Sequence, residues 1–176
     1  MDVNISDIVS GLVTFHPTYY QNPGRLNFLN IGQFRVILDY AHNVASYKAI
    51  MDMFDMIEAR EKIGVIATPG DRRDIDIENM GARAAQTLTK IIVREDKDKR
   101  GRKEGEVANI LTRAAIKEGI NPSNIQTILD EEEAVLFAVK NAKQGDVVII
   151  LVDKVEMIHK LLLKYKDKVE GFAVDS

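Results

Sequence analysis

The chain has no cysteine, which excludes disulfides, thiolate catalysis and cysteine-ligated zinc. Its only histidines, His16, His42 and His159, are scattered and offer no spacing for a histidine metal site. No apolar run approaches the ~20 residues of a membrane span. The start MDVNISDIVSG lacks the basic-then-apolar order of a signal peptide, so a cytoplasmic chain with no membrane partner is expected. Charge of one sign is not in excess: 24 Lys+Arg against 27 Asp+Glu leave a net charge of -3. That balance supplies no field for nucleic acid, although a local basic site is compatible with it. Several chemical signatures are missing too. There is no G-x-x-x-x-G-K-[ST] cradle for a triphosphate, no G-x-G-x-x-G, no serine nucleophile elbow and no carboxylate cluster with metal spacing. Neither a catalytic residue of its own nor a metal ligand is expected.

What remains is an ordinary globular composition. The 176 residues, 45% hydrophobic and 29% charged, suffice for one well-cored domain and are too few for a multi-domain enzyme. Residues 1–24 are the least regular part. Ile5, Ile8, Val9 and Leu12 have helical spacing, but two prolines, a Pro-Gly pair and Tyr19-Tyr20 read as a linker that packs down on the domain. The domain proper is placed at residues 25–176. Apolar runs at 26–31 and 34–38, broken by Gly32-Gln33, predict a β-hairpin. Strand-length apolar runs follow at 63–67, 90–93, 124–128 and 147–152, alternating with helical patterns at 44–59, 76–88, 104–118, 131–141 and 154–165. Asp130 and Glu133 suggest a capping box, and Gly119 a left-handed helix cap. The alternation predicts an α/β fold: a doubly wound, mostly parallel, Rossmann-like sheet with helices on both faces and an N-terminal hairpin.

Ligands bind such sheets where strand ends lead into helices. Three of these loops are rich in polar groups: Asp39-Tyr40-Ala41-His42-Asn43, Thr68-Pro69-Gly70-Asp71-Arg72-Arg73-Asp74, and the run from Arg94-Glu95-Asp96 through Asp98 and Arg100 to Arg102. In the first, a carboxylate suits ribose hydroxyls, Asn43 an adenine edge and His42 a phosphate. The alternative is that Asn43 caps the next helix and His42 is a turn residue. Gly70, Asp71, Arg72 and Arg73 form either an anion site or a solvated loop of internal ion pairs. The third loop reads as solvated, or as a reader of a ligand bearing both charges. Arg25 could reach a phosphate or cover the hairpin.

Pro23-Gly24-Arg25-Leu26-Asn27, Asp-Tyr-Ala-His-Asn, Gly-Asp-Arg-Arg-Asp and Arg-Glu-Asp-Lys-Asp-Lys-Arg-Gly-Arg together resemble the C-terminal domain of the Mur ligase family. Within it, they resemble most the branch that makes cyanophycin. The resemblance runs from about Ile5 to the last helix. It implies a part in ATP-dependent amide-bond formation, with arginine added through its α-amino group to the β-carboxylate of aspartate on a polyaspartate backbone. It further implies that Arg25 meets the phosphates of ATP, Asp39 the ribose, and His42 and Asn43 the phosphate and base side. Gly70, Asp71, Arg72, Arg73, Arg94, Glu95, Asp96, Asp98, Arg100 and Arg102 would lie toward the incoming amino acid. ATP and magnesium would be held mainly by a central domain, the expected partner in cis or trans, without which this chain should be inactive. The family has proline after Asp-Tyr-Ala-His-Asn where this chain has Val44; the helix should still start there, with a less preorganised turn. A stand-alone, non-catalytic nucleotide- or amino-acid-binding module is the alternative, and a homo-oligomer is compatible with the sequence.

Overall fold

The computed structural model describes Asn4 and residues 19–171; the helical spacing of Ile5 to Leu12 lies outside them. Strands β1 (Asn27–Ile31) and β2 (Phe34–Asp39) form the expected antiparallel hairpin around Gly32-Gln33. Then come α1 (Val44–Asp55), β3 (Lys62–Ile66), α2 (Asp74–Thr87), β4 (Lys90–Val93), α3 (Glu106–Lys117), β5 (Ile125–Thr127), α4 (Glu131–Asn141), β6 (Val147–Leu151) and α5 (Val155–Glu170). The six strands form one sheet in the order β1-β2-β6-β3-β4-β5, and every pairing except β1 with β2 is parallel.

Alternation along each strand decides which helices it supports. Val147, Ile149 and Leu151 of β6 join Ile37, Ile66, Ile91 and Val93 in a core under α1, α2 and α3. Val148 and Ile150 join Val36, Leu38, Val65 and Ile92 in a second core under α4 and α5. Both faces are covered, so the central strand β6 carries a buried apolar residue at every position. The chain passes from β2 to β3 and later returns β6 between them. Progress across the sheet runs from β2 to β5 and reverses only on the return to β6, so the carboxyl end of β6, between β2 and β3, is the kind of point where open α/β sheets bind ligands.

Helix limits follow the caps. Asn43 Oδ1 accepts the Ser46 N–H at 2.9 Å while Ser46 Oγ accepts the Asn43 N–H, a full capping box at the start of α1. Asp130 caps α4 by accepting the Glu133 N–H, but the return bond from Glu133 is absent among the described contacts. Gly119, at φ +109°, closes α3 with N–H bonds from Gly119 to the Ile116 carbonyl and from Ile120 to the Ala115 carbonyl. This is the left-handed stop its position suggests. Two limits differ from expectation by more than two residues. Helix α1 ends at Asp55, and Ile57 and Ala59 reach the core from the following turn instead. Helix α5 continues past Tyr165, because Glu170 accepts the Gly32 N–H and ties the last turn to the hairpin. No helix among the described residues is long and apolar enough to cross a membrane.

Candidate functional site

The carboxyl ends of β2, β6, β3 and β4 stand side by side, so the end of β6 lies between the first two polar loops. At β2, Asp39 is only 5% exposed. Its Oδ2 accepts the Leu26 N–H at 3.0 Å. Burial pushes its carboxyl pKa up, against the Leu26 N–H, the Arg25 charge and the Ala41 N–H. The segment that supplies Leu26 is itself built tightly. Asn27 accepts the Gly24 N–H and donates to the Asn22 and Arg25 carbonyls, and the Tyr40 N–H donates to Gly24 O. Arg25 extends from this frame over the Tyr40 ring, 5.9 Å from its centroid.

His42 Nδ1 lies 2.9 Å from the Tyr40 carbonyl. A carbonyl accepts only, so Nδ1 carries the proton, and Nε2 is a bare acceptor until the ring is protonated. His42 can therefore donate to an anion only as imidazolium. Asn43 spends its Oδ1 on the helix cap, which leaves Nδ2 as a donor. The capping reading of Asn43 is thus realised in the structure, and it limits what the side chain can offer a base edge.

Between the β3 and β4 loops, arginines act as staples. Arg102 donates to the Gly70 and Arg72 carbonyls at 2.7 Å and pairs with Asp74 and Glu106. Arg100 pairs with Asp71 at 2.8 Å, which holds the Asp71 carboxyl below its usual range. Gly70 lies so close that a Cβ would stand 2.2 Å from the Lys99 carbonyl oxygen. Arg73 is exposed and forms a bidentate pair with Asp76. Asp98 accepts the Arg100 N–H. Arg72 differs: its guanidinium makes no hydrogen bond or ion pair among the described residues, and its Nε is buried.

The solvated reading of the third loop fails at its first two residues. Arg94, 2% exposed, donates to Leu151 O and Asp96 Oδ1 at 2.7 Å and pairs with Glu131 at 3.1 Å. Glu131 also accepts the Asp153 N–H. Arg94 therefore ties together the ends of β4 and β6 and the start of α4. Glu95 is buried as well and accepts the Gly105 and Ala108 N–H groups at the start of α3, while Lys99 pairs with it. Burial opposes its charge, but the two N–H groups and Lys99 outweigh burial and hold its carboxyl below the usual range. These charges are buried because each has its partners.

Tyr40, His42, Thr68, Arg94, Asp96, Arg100 and Asp153 share a cleft of about 30 Å³ at the reversal point, room for little more than a water. Thr68 and Asp96 also face a second recess with Gly70, Glu95, Asp98, Lys99 and Arg102. Thr68, 2% exposed with an unpartnered hydroxyl, is the group that sequence reasoning passed over. Its one signal was its place directly after the apolar run of β3. Leu26 and Arg100, at φ 48° and 46°, are the non-glycine residues with left-handed backbone among the described residues. Both flank this edge, and such strain gathers where ligands are held. Among the described residues no group of three or more acidic or histidine side chains could hold a metal ion.

Replacing Asp39 with asparagine should expose what this arrangement costs. Asparagine keeps an oxygen for the Leu26 N–H but carries no charge. The Asp39 pKa is raised on folding, so its stabilising neutral form is fully present below the unfolded-state pKa. That stability is lost as pH rises through the folded value. Asp39→Asn is expected to gain about 1 kcal/mol at neutral pH, measured by urea denaturation, with the gain vanishing at acid pH.

A doubly wound parallel sheet with an antiparallel edge strand and a cleft beside the end of β6 defines a Rossmann-like α/β domain. The Mur ligase, glutamate ligase domain model matches residues 24–151, and the chain belongs to that family. A cyanophycin synthetase of Crocosphaera subtropica is 37% identical over 87% of this chain and 17% of its own length. A UDP-N-acetylmuramyl-tripeptide synthetase of Borreliella burgdorferi is 26% identical over 86% of this chain and 29% of its own. The structure of E. coli FolC in complex with DHPP and ADP superposes with a TM-score of 0.69 at 18% identity, over 94% of this chain and 36% of that one; that likeness concerns the fold. The chain thus spans under a fifth of the length of the cyanophycin synthetases it matches.

Proposed function

We propose that this chain is the nucleotide-closing and amino-acid-binding domain of a cyanophycin synthetase-type ligase, active together with a central ATP-binding domain. The observation that carries this reading is the cleft at the strand reversal. It gathers the His42 ring, the orphaned Thr68 hydroxyl and the paired charges of Arg94 and Asp96, with Arg100 at its side, yet is too shallow to enclose a nucleotide alone. A second surface has to complete it. On this reading ATP supplies the phosphoryl group that activates the acceptor carboxylate, and an amine then displaces phosphate.

Arg25 and His42 would face the phosphates, and Asp39 would accept from a ribose hydroxyl. Asn43 would contribute its Nδ2 toward the base. Magnesium would be held mainly by the central domain. On the amino-acid side, Arg72 is the cation free to meet a carboxylate, and Asp96 and Asp98 remain to meet the guanidinium of arginine. The oxygens of Glu95 are engaged, and Asp71 is paired with Arg100. Arg94, Glu95 and Arg102 would act by holding these loops in place, and Gly70 by permitting their close approach. Arg73 would lie at the rim. The amine acceptor would be the β-carboxylate of aspartate in a polymer, and the place of action the cytoplasm, where ATP is available.

Calorimetry tests the division of labour. ATP titrated into the isolated chain is expected to bind weakly or undetectably. Micromolar binding without a partner would instead make this a stand-alone binding module.

A further inference from the structure

The path by which the chain enters the domain is unusually well fastened. The Tyr19 ring stacks on His159 of α5, with centroids 3.6 Å apart and planes within 5°. His159 is 8% exposed, so the stack is set into the helix surface. Tyr20, 85% exposed, meets both rings edge-on. Five residues on, Gly24 passes α5 again. A Cβ there would stand 2.6 Å from Val155 Cγ2, and its φ of +70° is left-handed, so glycine serves both approach and conformation. Directly beyond are the bonds already described: Gly24 O to the Tyr40 N–H, and the Leu26 N–H to Asp39.

We infer that residues 19–26 form a rigid lever, clamped to α5 by the Tyr19–His159 stack and the Gly24–Val155 contact. This lever couples the direction in which the chain enters the domain to the placement of Arg25 and Asp39. His159 touches none of the residues assigned to a ligand; it is a positioning residue acting through Tyr19 and the 22–26 turn. The coupling is physical because the connection is short and bonded at both ends. Rotation of the entering chain has no slack to absorb it before it reaches the Leu26–Asp39 bond. That this bond belongs to a nucleotide site rests on the proposed function above, but the lever itself does not.

Hydrogen exchange on the full chain, without ligand, tests it. The Leu26 and Tyr40 amides report the far end of the lever. In His159→Ala and Tyr19→Ala they are expected to exchange about tenfold faster, with β3 and β6 amides unchanged. In His159→Phe, which keeps a ring for stacking, they should exchange at the wild-type rate. Should His159→Ala loosen the whole domain, Tyr19→Ala decides, since it removes the same stack from outside α5. Unchanged Leu26 and Tyr40 exchange in Tyr19→Ala would overturn the lever. Because no nucleotide is present, that outcome would leave the functional proposal untouched, and a failure of ATP binding would leave the exchange result standing.

Discussion

Arg94→Ala is expected to cost about 3–5 kcal/mol, the penalty for breaking a buried ion pair from one side. For a domain of this size that lowers the melting temperature by roughly 10 °C. The argument rests on what is left behind. Glu131 is 7% exposed and would keep its charge with only the Asp153 N–H as a donor. The Leu151 carbonyl, which accepts from the Arg94 side chain at 2.7 Å, would lose that bond. Asp96 would lose the cation that fixes it in the cleft. Removing both members of the pair should hurt less than the sum of the single changes, so Arg94→Met with Glu131→Leu is expected to recover part of the loss. Urea denaturation of the variants reads all of this. A loss below about 1 kcal/mol for Arg94→Ala would mean that the three-way tie between β4, β6 and α4 is not what holds this edge together.

The same residue shows where sequence reasoning stops. Strands, helices and the hairpin are written in local patterns, and helix α4 starts and ends where its Asp130 cap and apolar spacing place it. Asn43 is legible as a cap because capping needs only the next three residues. Arg94 and Glu131 are not legible in this way. Each sits in a charged stretch that reads as solvated, and only the fold brings them together beneath the Asp153 turn. Strand order is non-local as well. Inserting β6 between β2 and β3 moves Asp153 and Val152 into a cleft that otherwise reads as three neighbouring loops. Thr68 became visible only as an orphaned hydroxyl, since a threonine after a strand has no spacing signature. The motifs carry the family; the hydrogen bonds of the folded chain divide groups spent on architecture from groups left for a ligand. Left for a ligand are Arg25, Arg72, the Thr68 hydroxyl, Asn43 Nδ2, His42 Nε2 and one oxygen each of Asp96 and Asp98.

The largest expected effect is on activity. On the proposed function, this chain supplies one wall of a ligase site whose other wall is a separate ATP-binding domain. The most direct measurement adds this chain to a cyanophycin synthetase lacking the corresponding residues and follows phosphate release with aspartate polymer, ATP and arginine. Release that requires the chain, ATP and arginine together is predicted, and Arg72→Ala should reduce it by about a hundredfold, as befits loss of a charged contact to substrate. Arginine-independent release, or none at all with the chain folded by circular dichroism, would contradict the account.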